Sequence, residues 1–172
     1  MFQDEARFGR ISDVRRCWVP ASIRPVVGCQ LVREYTYAYA SVSPHDGIMD
    51  SLVLPEVNAS LMSLFLDELS RRHSDEFVLM VLDGAAWHSA KDLSVPLNMR
   101  LVALPPYCAE INPAEHLWEE IREKDFGNKV FHTMNAVEDQ LVDSLACLEK
   151  KPEKVMSITG FSWIINILLN AT

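Results

Sequence analysis

The spacing of apolar positions changes along the chain and divides it into strands and helices. Large and small residues alternate over 35–41, which predicts a strand, and the turn chemistry of 44–47 allows 48–54 to return as its partner. The continuous apolar run 77–82 predicts a strand buried on both faces, a pattern typical of a sheet covered by helices. A further short strand is predicted over 99–104, where two prolines stop it.

Helical spacing follows and separates these strands. A helix running to about residue 72 is predicted with Asn58 as its N-cap and apolar residues on one face. A second helix is predicted over 112–124, with an Asn-Pro start, and a third over 135–149. The pattern of residues 2–4 predicts the end of one more strand. Together these elements predict a single α/β domain with a mixed central sheet flanked by helices.

The bulk composition is that of a folded globular chain. Its 172 residues suffice for one domain, and 49% hydrophobic with 23% charged residues argue against long disordered stretches. The four cysteines form no C-x-x-C pair and no zinc-like spacing, so we interpret them as reduced thiols. We find no leader with a cleavage site, and the apolar stretch 161–169 is too short to cross a bilayer. We therefore expect a cytoplasmic protein without a membrane segment.

The net charge of −8 is unusual for a protein that binds nucleic acid, because phosphate contacts normally draw on a basic surface. The charge is unevenly placed, however, since 7–33 holds six arginines and a single acid, Asp13, whereas acids crowd 110–143. A solvated arginine-rich edge and a DNA-facing edge both fit this pattern. The arginines considered for DNA contacts are Arg7, Arg10, Arg15 and Arg16.

Two aspartates follow predicted strands. Asp83 stands where the most buried strand ends, and in open α/β sheets ligand sites gather outside the carboxyl ends of strands. A carboxylate there can bind a metal, orient a base or cap the following turn, and for an isolated residue the cap is the favoured interpretation. Asp4 likewise stands at the predicted end of a strand, two residues after an apolar phenylalanine. Because two such aspartates occur, capping is a less satisfactory interpretation of both than of one alone.

Glu115 lies at the predicted start of a helix. With Asn112 as N-cap and Pro113 at the first helical position, Glu115 fits a capping box, and taken alone this is its favoured interpretation. His116 and Glu120 have a spacing that could bind zinc, but a third ligand would have to come from far along the chain.

Taken together, Asp4, Asp83 and Glu115 have a chemical rationale. Phosphodiester hydrolysis needs an activated water, a Lewis acid on the phosphoryl oxygens and stabilisation of the leaving oxygen, and two ions about 3.5–4 Å apart supply all of these. Because Mg²⁺ takes oxygen ligands and keeps several waters, carboxylates from separate elements suit it well.

The three acids lie in three longer segments, which are Phe2-Gln3-Asp4-Glu5-Ala6-Arg7-Phe8-Gly9, Val81-Leu82-Asp83 with His88 following, and Leu104-Pro105-Pro106-Tyr107-Cys108-Ala109-Glu110-Ile111-Asn112-Pro113-Ala114-Glu115-His116-Leu117-Trp118. These segments resemble the catalytic blocks of DDE transposases of the Tc/mariner superfamily, in its bacterial insertion-sequence branch. The third block is the most specific, and Asp83 and Glu115 lie 32 positions apart, close to the separation usual in that superfamily. Weaker similarity over 18–25 and 159–164 extends the resemblance to essentially the whole chain.

The resemblance implies that residues 1–172 form one RNase H-like DDE catalytic domain. It implies that Asp4 bridges two Mg²⁺ or Mn²⁺ ions, while Asp83 holds one of them and Glu115 the other. His88 matches a histidine frequent after the second aspartate, and the resemblance implies that it orients a water or contacts phosphate; a packing or turn role is at least an equal alternative. The implied activity is nicking at transposon ends followed by attack of the freed 3′-hydroxyl on target DNA, performed by a homodimer in the bacterial nucleoid.

Two positions depart from the family pattern. Gly84 stands where asparagine is usual, and Cys108-Ala109 stands where Ser-Pro is usual. None of the three acids is lost, so we interpret the departures as divergence and not as inactivation. The helix-turn-helix region that precedes this domain in complete transposases is not found before Asp4. We therefore expect a split reading frame, a truncated copy or an excised domain, with DNA recognition supplied by a separate subunit or a fused region.

Two alternatives remain at this point. The chain could be a catalytically inert remnant or assembly partner, whose apolar tail 161–169 packs on the core or on a second copy; packing on the core is favoured. It could also be another RNase H-like nuclease, such as a junction resolvase or a ribonuclease. The proline-and-asparagine block before Glu115 favours the transposase.

Overall fold

The computed structural model describes residues 1–170 and has five strands in one mixed sheet, ordered β3-β2-β1-β4-β5. The strands are β1 (Phe2–Ile11), β2 (Leu31–Val42), β3 (Met49–Leu54), β4 (Val78–Leu82) and β5 (Met99–Ala103). The helices are α1 (Ala59–Arg72), α2 (Glu115–Ile121), α3 (Met134–Glu149), α4 (Pro152–Thr159) and α5 (Ser162–Asn170). This arrangement confirms the predicted mixed sheet flanked by helices.

The sheet changes from antiparallel to parallel at β1, which is its central strand. β1 pairs antiparallel with β2 over most of its length, and β2 pairs antiparallel with β3. On its other side β1 runs parallel to β4, and β4 runs parallel to β5. The register between β1 and β4 aligns Phe2 with Val81. Continuing this register by two residues brings Asp4 level with Asp83, at the carboxyl end of β4.

Alternate residues of β1 face two separate layers, because successive side chains of a strand point to opposite faces. One layer packs α2 and α3 on the sheet, through Ala6, Phe8, Val42, Leu117, Trp118 and Leu141. The other packs α1 on the opposite face, through Tyr39, Met62, Phe65, Leu69, Met80 and Leu82. Asp4 and Glu5 therefore point to different sides of the same sheet.

Two strands differ from their predicted form. β1 continues to Ile11, so Asp4 lies inside the strand and not at its end, because β2 pairs with β1 well beyond that residue. The prediction that 77–82 is buried on both faces is also wrong. Val78, Met80 and Leu82 are buried under α1, whereas Leu79 on the other face keeps 49% of its surface exposed. The reason is that α3 packs on β1, β2 and β3, beside this face of β4.

The helices follow the predicted pattern more closely. Asn58 caps α1, since its side-chain oxygen accepts a hydrogen bond from the Leu61 amide at 2.9 Å. In the predicted apolar tail, Ile164 is buried whereas Trp163 remains 43% exposed, so the tail packs partly on the core. The side chains of Leu168 and Leu169, also part of that tail, lie outside the described residues. Within residues 1–170, no helix combines the length and apolarity needed to span a bilayer.

Candidate metal site

Asp4 is a buried carboxylate on the central strand. Its position in β1 turns the side chain toward α2, and only 8% of the residue is exposed. Its Oδ2 accepts a hydrogen bond from the indole nitrogen of Trp118 at 2.8 Å. Trp118 is itself fully buried on α2. This contact joins the first and third of the segments that the sequence singles out.

The electrostatics of Asp4 bring Glu115 into the same site. Burial raises the pKa of Asp4, the Glu115 carboxylate raises it further, and together they carry it from 3.8 to about 7 against the opposing effect of the Trp118 hydrogen bond. The neighbouring Glu5 also acts in the raising direction. Two acids far apart in sequence therefore share one region of the protein, where a cation would relieve their repulsion.

Glu115 opens α2 in a way that differs from the predicted capping box. The N-cap of α2 is Ala114, and no described side chain caps this helix. The buried Asn112 instead donates from Nδ2 to the Gln3 carbonyl at 3.0 Å, while its Oδ1 accepts from the Ala114 amide at 3.2 Å. The capping interpretation of Glu115 is therefore wrong: Asn112 ties the start of α2 to β1 beside Asp4, and Glu115 remains exposed.

Asp83 lies at the end of β4 with its side chain about half exposed. Its Oδ1 accepts a hydrogen bond from the Ala85 amide at 3.0 Å, which caps the following turn as the simplest interpretation of the sequence predicts. The same oxygen lies 2.9 Å from Nδ1 of His88. The side chain of Asp83 retains 49% exposure, so it remains open to a ligand on one side.

His88 is buried and engages protein acceptors through both ring nitrogens. Nδ1 contacts the carbonyl and the carboxylate of Asp83, and Nε2 lies 2.9 Å from Oε1 of Glu5. Burial by itself lowers the pKa of His88, but the hydrogen bond and charge of Glu5, together with Asp83, outweigh it and raise the pKa. These contacts favour the packing role for His88 over contact with a water or a phosphate.

Glu5 is the residue of this site that sequence reasoning missed. Its side chain is 5% exposed and also accepts a hydrogen bond from the Trp87 indole at 3.2 Å. The available signal was its position beside Asp4 in a strand, which places it on the opposite face of the sheet. Its partners Trp87 and His88 lie more than eighty positions further along the chain, so no local sequence pattern predicts these contacts.

The residues present suit a divalent cation by their chemistry. Asp4, Asp83 and Glu115 offer carboxylate oxygens, the ligands that Mg²⁺ and Mn²⁺ prefer. In the part of the chain that the structure describes, the side chains as they stand form no group of three or more His, Cys, Asp or Glu residues ready to hold a metal. Asp83 is engaged with His88 and Ala85, while Asp4 and Glu115 influence one another. The structure therefore brings two of the three acids together electrostatically and holds the third at the neighbouring strand end.

The weaker zinc hypothesis gains no support. His116 lies 3.7 Å from Glu119 and contacts the ring of Phe161 edge-on. Glu120 forms ion pairs with Lys124 and Lys154. Both predicted zinc ligands are thus engaged with other partners.

The four arginines considered for DNA contacts lie on or after β1 in different environments. The Arg7 guanidinium lies over the Tyr35 ring at 4.4 Å, and Arg16 is exposed. Arg10 pairs with Glu34 at 2.7 Å, and Arg15 pairs with Asp13 at 2.8 Å.

Comparison with known proteins identifies the family of the chain. A family model described as DDE superfamily endonuclease matches residues 1–138, a span that contains Asp4, Asp83 and Glu115. The uncharacterized protein y4pE/y4sA of Sinorhizobium fredii is 32% identical over 130 residues, which cover 75% of this chain and 96% of that protein.

Solved structures of Mos1 transposase share the fold. Its paired-end complex with the left transposon end matches with a TM-score of 0.61 and 17% identity, over 92% of this chain and 55% of that chain. The Mos1 mariner paired-end complex with Mn matches with a TM-score of 0.64 and 17% identity, over 91% of this chain and 52% of that chain. The chain therefore spans about half the length of these transposase chains.

Fold and family lead to the same assignment. The mixed five-stranded sheet with flanking helices is similar to the RNase H-like fold of Mos1 transposase, as predicted. The predicted membership of the DDE superfamily is confirmed, while the Tc/mariner type and its bacterial insertion-sequence branch stay predictions. The chain belongs to the DDE superfamily of endonucleases.

Proposed function

We propose that residues 1–172 are the catalytic domain of a metal-dependent DNA transposase. It would hydrolyse phosphodiester bonds at transposon ends and transfer the freed 3′-hydroxyl to target DNA. The observation that carries the proposal is the buried Asp4 carboxylate, whose pKa is raised to about 7 by burial and by Glu115. A pair of crowded acids beside the end of a parallel strand suits a cation that balances their charge.

Asp4, Asp83 and Glu115 are the residues that would hold Mg²⁺ or Mn²⁺, with Asp4 shared between two ions. Such ions, when bound, activate a water and neutralise charge on the phosphoryl and leaving oxygens. The Trp118 indole donates a hydrogen bond to one oxygen of Asp4 at 2.8 Å and thereby holds that oxygen against α2. The half-exposed side chain of Asp83 gives access from solvent.

The proposed DNA contacts use Arg7, Arg10, Arg15 and Arg16. Arg7 and Arg16 are exposed, and the ion pairs of Arg10 and Arg15 are near the surface, where such pairs contribute only about 0–1 kcal/mol. Exchanging a carboxylate partner for a DNA phosphate therefore costs little. Because the net charge is −8, we expect DNA affinity of this chain alone to be weak.

We further propose that the active assembly is a homodimer on DNA, to which a helix-turn-helix region or subunit contributes recognition. Support comes from the similar structures, which are Mos1 paired-end and strand-transfer complexes and of which this chain spans about half. Residence at the bacterial nucleoid follows from the same proposal.

A plasmid-nicking assay tests the function. Purified chain is incubated with supercoiled plasmid and Mn²⁺, and wild type is compared with Asp83→Ala, whose fold is checked by circular dichroism. We expect wild type to nick and the folded variant to lose nicking. Equal nicking by both proteins would remove Asp83 from the assignment. Failure of wild type to bind Mn²⁺ in calorimetry would instead support the inert remnant.

A further inference from the structure

The pairing between β1 and β4 is short at the end of these strands where the proposed metal ligands lie. The register between β1 and β4 aligns only Phe2 with Val81, whereas β4 and β5 are aligned at five successive pairs. The ladder between β1 and β4 therefore does not reach Asp4 and Asp83. Backbone pairing alone does not set the separation of these two carboxylates.

Side chains replace the missing ladder on the α1 face of the sheet. Glu5, next to Asp4 on β1, accepts hydrogen bonds from Trp87 at 3.2 Å and from Nε2 of His88 at 2.9 Å. Both donors belong to the short 3₁₀ turn that follows β4. The side chains of Glu5 and His88 are 5% and 3% exposed, so water competes little for these bonds.

His88 carries this link onward to Asp83. Its Nδ1 lies 2.9 Å from Oδ1 of Asp83 and 3.1 Å from the Asp83 carbonyl. The Ala85 amide donates to the same Oδ1 at 3.0 Å. The described contacts of the Asp83 carboxylate, a hydrogen bond from Ala85 and a close approach of the His88 ring, are therefore both made by Oδ1 and not by Oδ2.

We propose that Glu5 and His88 form a positioning pair for Asp83. Glu5 holds the His88 ring, and the ring turns Oδ2 of Asp83 outward for metal while linking the end of β4 to β1. The inference deepens the proposed function and rests on it, because Asp83 is a proposed metal ligand. Buried hydrogen-bond partners of this kind orient metal-binding carboxylates in proteins generally. Glu5 and His88 are positioning residues, since neither touches the reacting groups.

Three substitutions test the contacts of Glu5 and of His88 separately. Glu5→Leu removes the acceptor, and Glu5→Gln keeps an oxygen acceptor for the same two donors. His88→Gln keeps a donor near the position of Nε2 but withdraws the contact to Asp83. Calorimetry measures the Mn²⁺ dissociation constant of each protein at a temperature where all are folded. Hydrogen exchange of the Ala85 amide, measured without metal, reports the state of the Asp83 carboxylate.

We expect Glu5→Leu and His88→Gln to weaken Mn²⁺ binding by about tenfold to about a hundredfold, the range typical of lost partners of metal ligands. Exchange of the Ala85 amide should quicken in both variants. Glu5→Gln should restore binding close to that of wild type. Should Glu5→Leu fail to fold, His88→Gln, which retains the buried contact to Glu5, decides the question.

His73→Leu is the matched control. His73 is a histidine with 12% side-chain exposure whose Nε2 lies 2.8 Å from Asp50, and it precedes β4, at the opposite end of that strand from Asp83. We expect it to lower stability without changing Mn²⁺ affinity. Equal weakening by His73→Leu and His88→Gln would overturn the inference, as would wild-type affinity in both Glu5→Leu and His88→Gln. If the wild-type protein does not bind Mn²⁺, the proposed function is overturned, and the inference with it.

Discussion

Replacing Asp4 by asparagine should stabilise the metal-free protein. The wild-type carboxylate is 8% exposed and has its pKa raised by burial and by Glu115, from 3.8 to about 7. Asparagine removes the charge but keeps an oxygen that accepts the Trp118 hydrogen bond. The substitution therefore isolates the free energy of holding a charge at this position.

The magnitude follows from linkage between protonation and folding. Between pH 4 and pH 7 the folded state keeps a proton on Asp4 that the unfolded state has released, so the free energy of unfolding falls as pH rises through this window. Above pH 7 the full difference corresponds to about 4 kcal/mol, which is the upper limit for the gain in Asp4→Asn. For a chain of this size, a gain of about 4 kcal/mol in the free energy of unfolding corresponds to a rise in Tm of about 10 °C. Below pH 4 the two proteins should have equal stability.

Urea unfolding in EDTA, followed by circular dichroism from pH 4 to pH 8.5, measures this difference. The control is Asp83→Asn, at a half-exposed carboxylate, which should change stability much less. Addition of Mn²⁺ should reverse the order, because wild type gains binding energy that Asp4→Asn cannot. A metal-free Asp4→Asn protein that is less stable than wild type at pH 8 would refute the reasoning, as would a difference that does not vary with pH.

Three further substitutions test individual contacts. Trp118→Phe removes the hydrogen-bond donor to the Asp4 carboxylate. It should lower the free energy of unfolding by about 1.5–3 kcal/mol at pH 8 in EDTA, and by less near pH 4. An equal loss at both pH values would contradict this role of Trp118. Asn58→Ala removes the cap of α1 and should cost about 1 kcal/mol in urea unfolding, and an unchanged midpoint would exclude the cap. Gly84→Asn restores the residue usual in the family. Because a Cβ at Gly84 meets no atom within 4 Å, stability should stay within about 0.5 kcal/mol of wild type, and a larger loss in the same assay would show that the space is not free.

The parts of the fold that the sequence could predict are those decided locally. Asn58 caps α1 through the amide of Leu61, three residues along the chain. The alternation over 35–41 correctly predicts part of β2, although residues 38–42 of that strand are buried on both faces. The apolar run before Asp83 correctly predicts β4. Its exposed face could not be predicted, because the coverage of Leu79 depends on where α3 packs.

Long-range contacts explain the rest of the differences. Asn112 and Glu115 have the pattern of a capping box, but the amide of Asn112 is drawn to the Gln3 carbonyl across the domain. The contacts of Glu5 to the turn after β4 are likewise invisible in sequence, since they need β1 and β4 side by side. Sequence could thus predict three acids as metal ligands, but not the side chains that contact them.

We expect Asp4, Asp83 and Glu115 to share bound metal, and a crystal grown with Mn²⁺ provides the decisive test. Anomalous scattering at the manganese edge locates the ions without reference to any assumed ligand. We expect anomalous peaks between these three carboxylates, with Asp83 drawn toward Asp4 through Oδ2. Manganese bound only elsewhere, with the three acids arranged as in the metal-free protein, would contradict it.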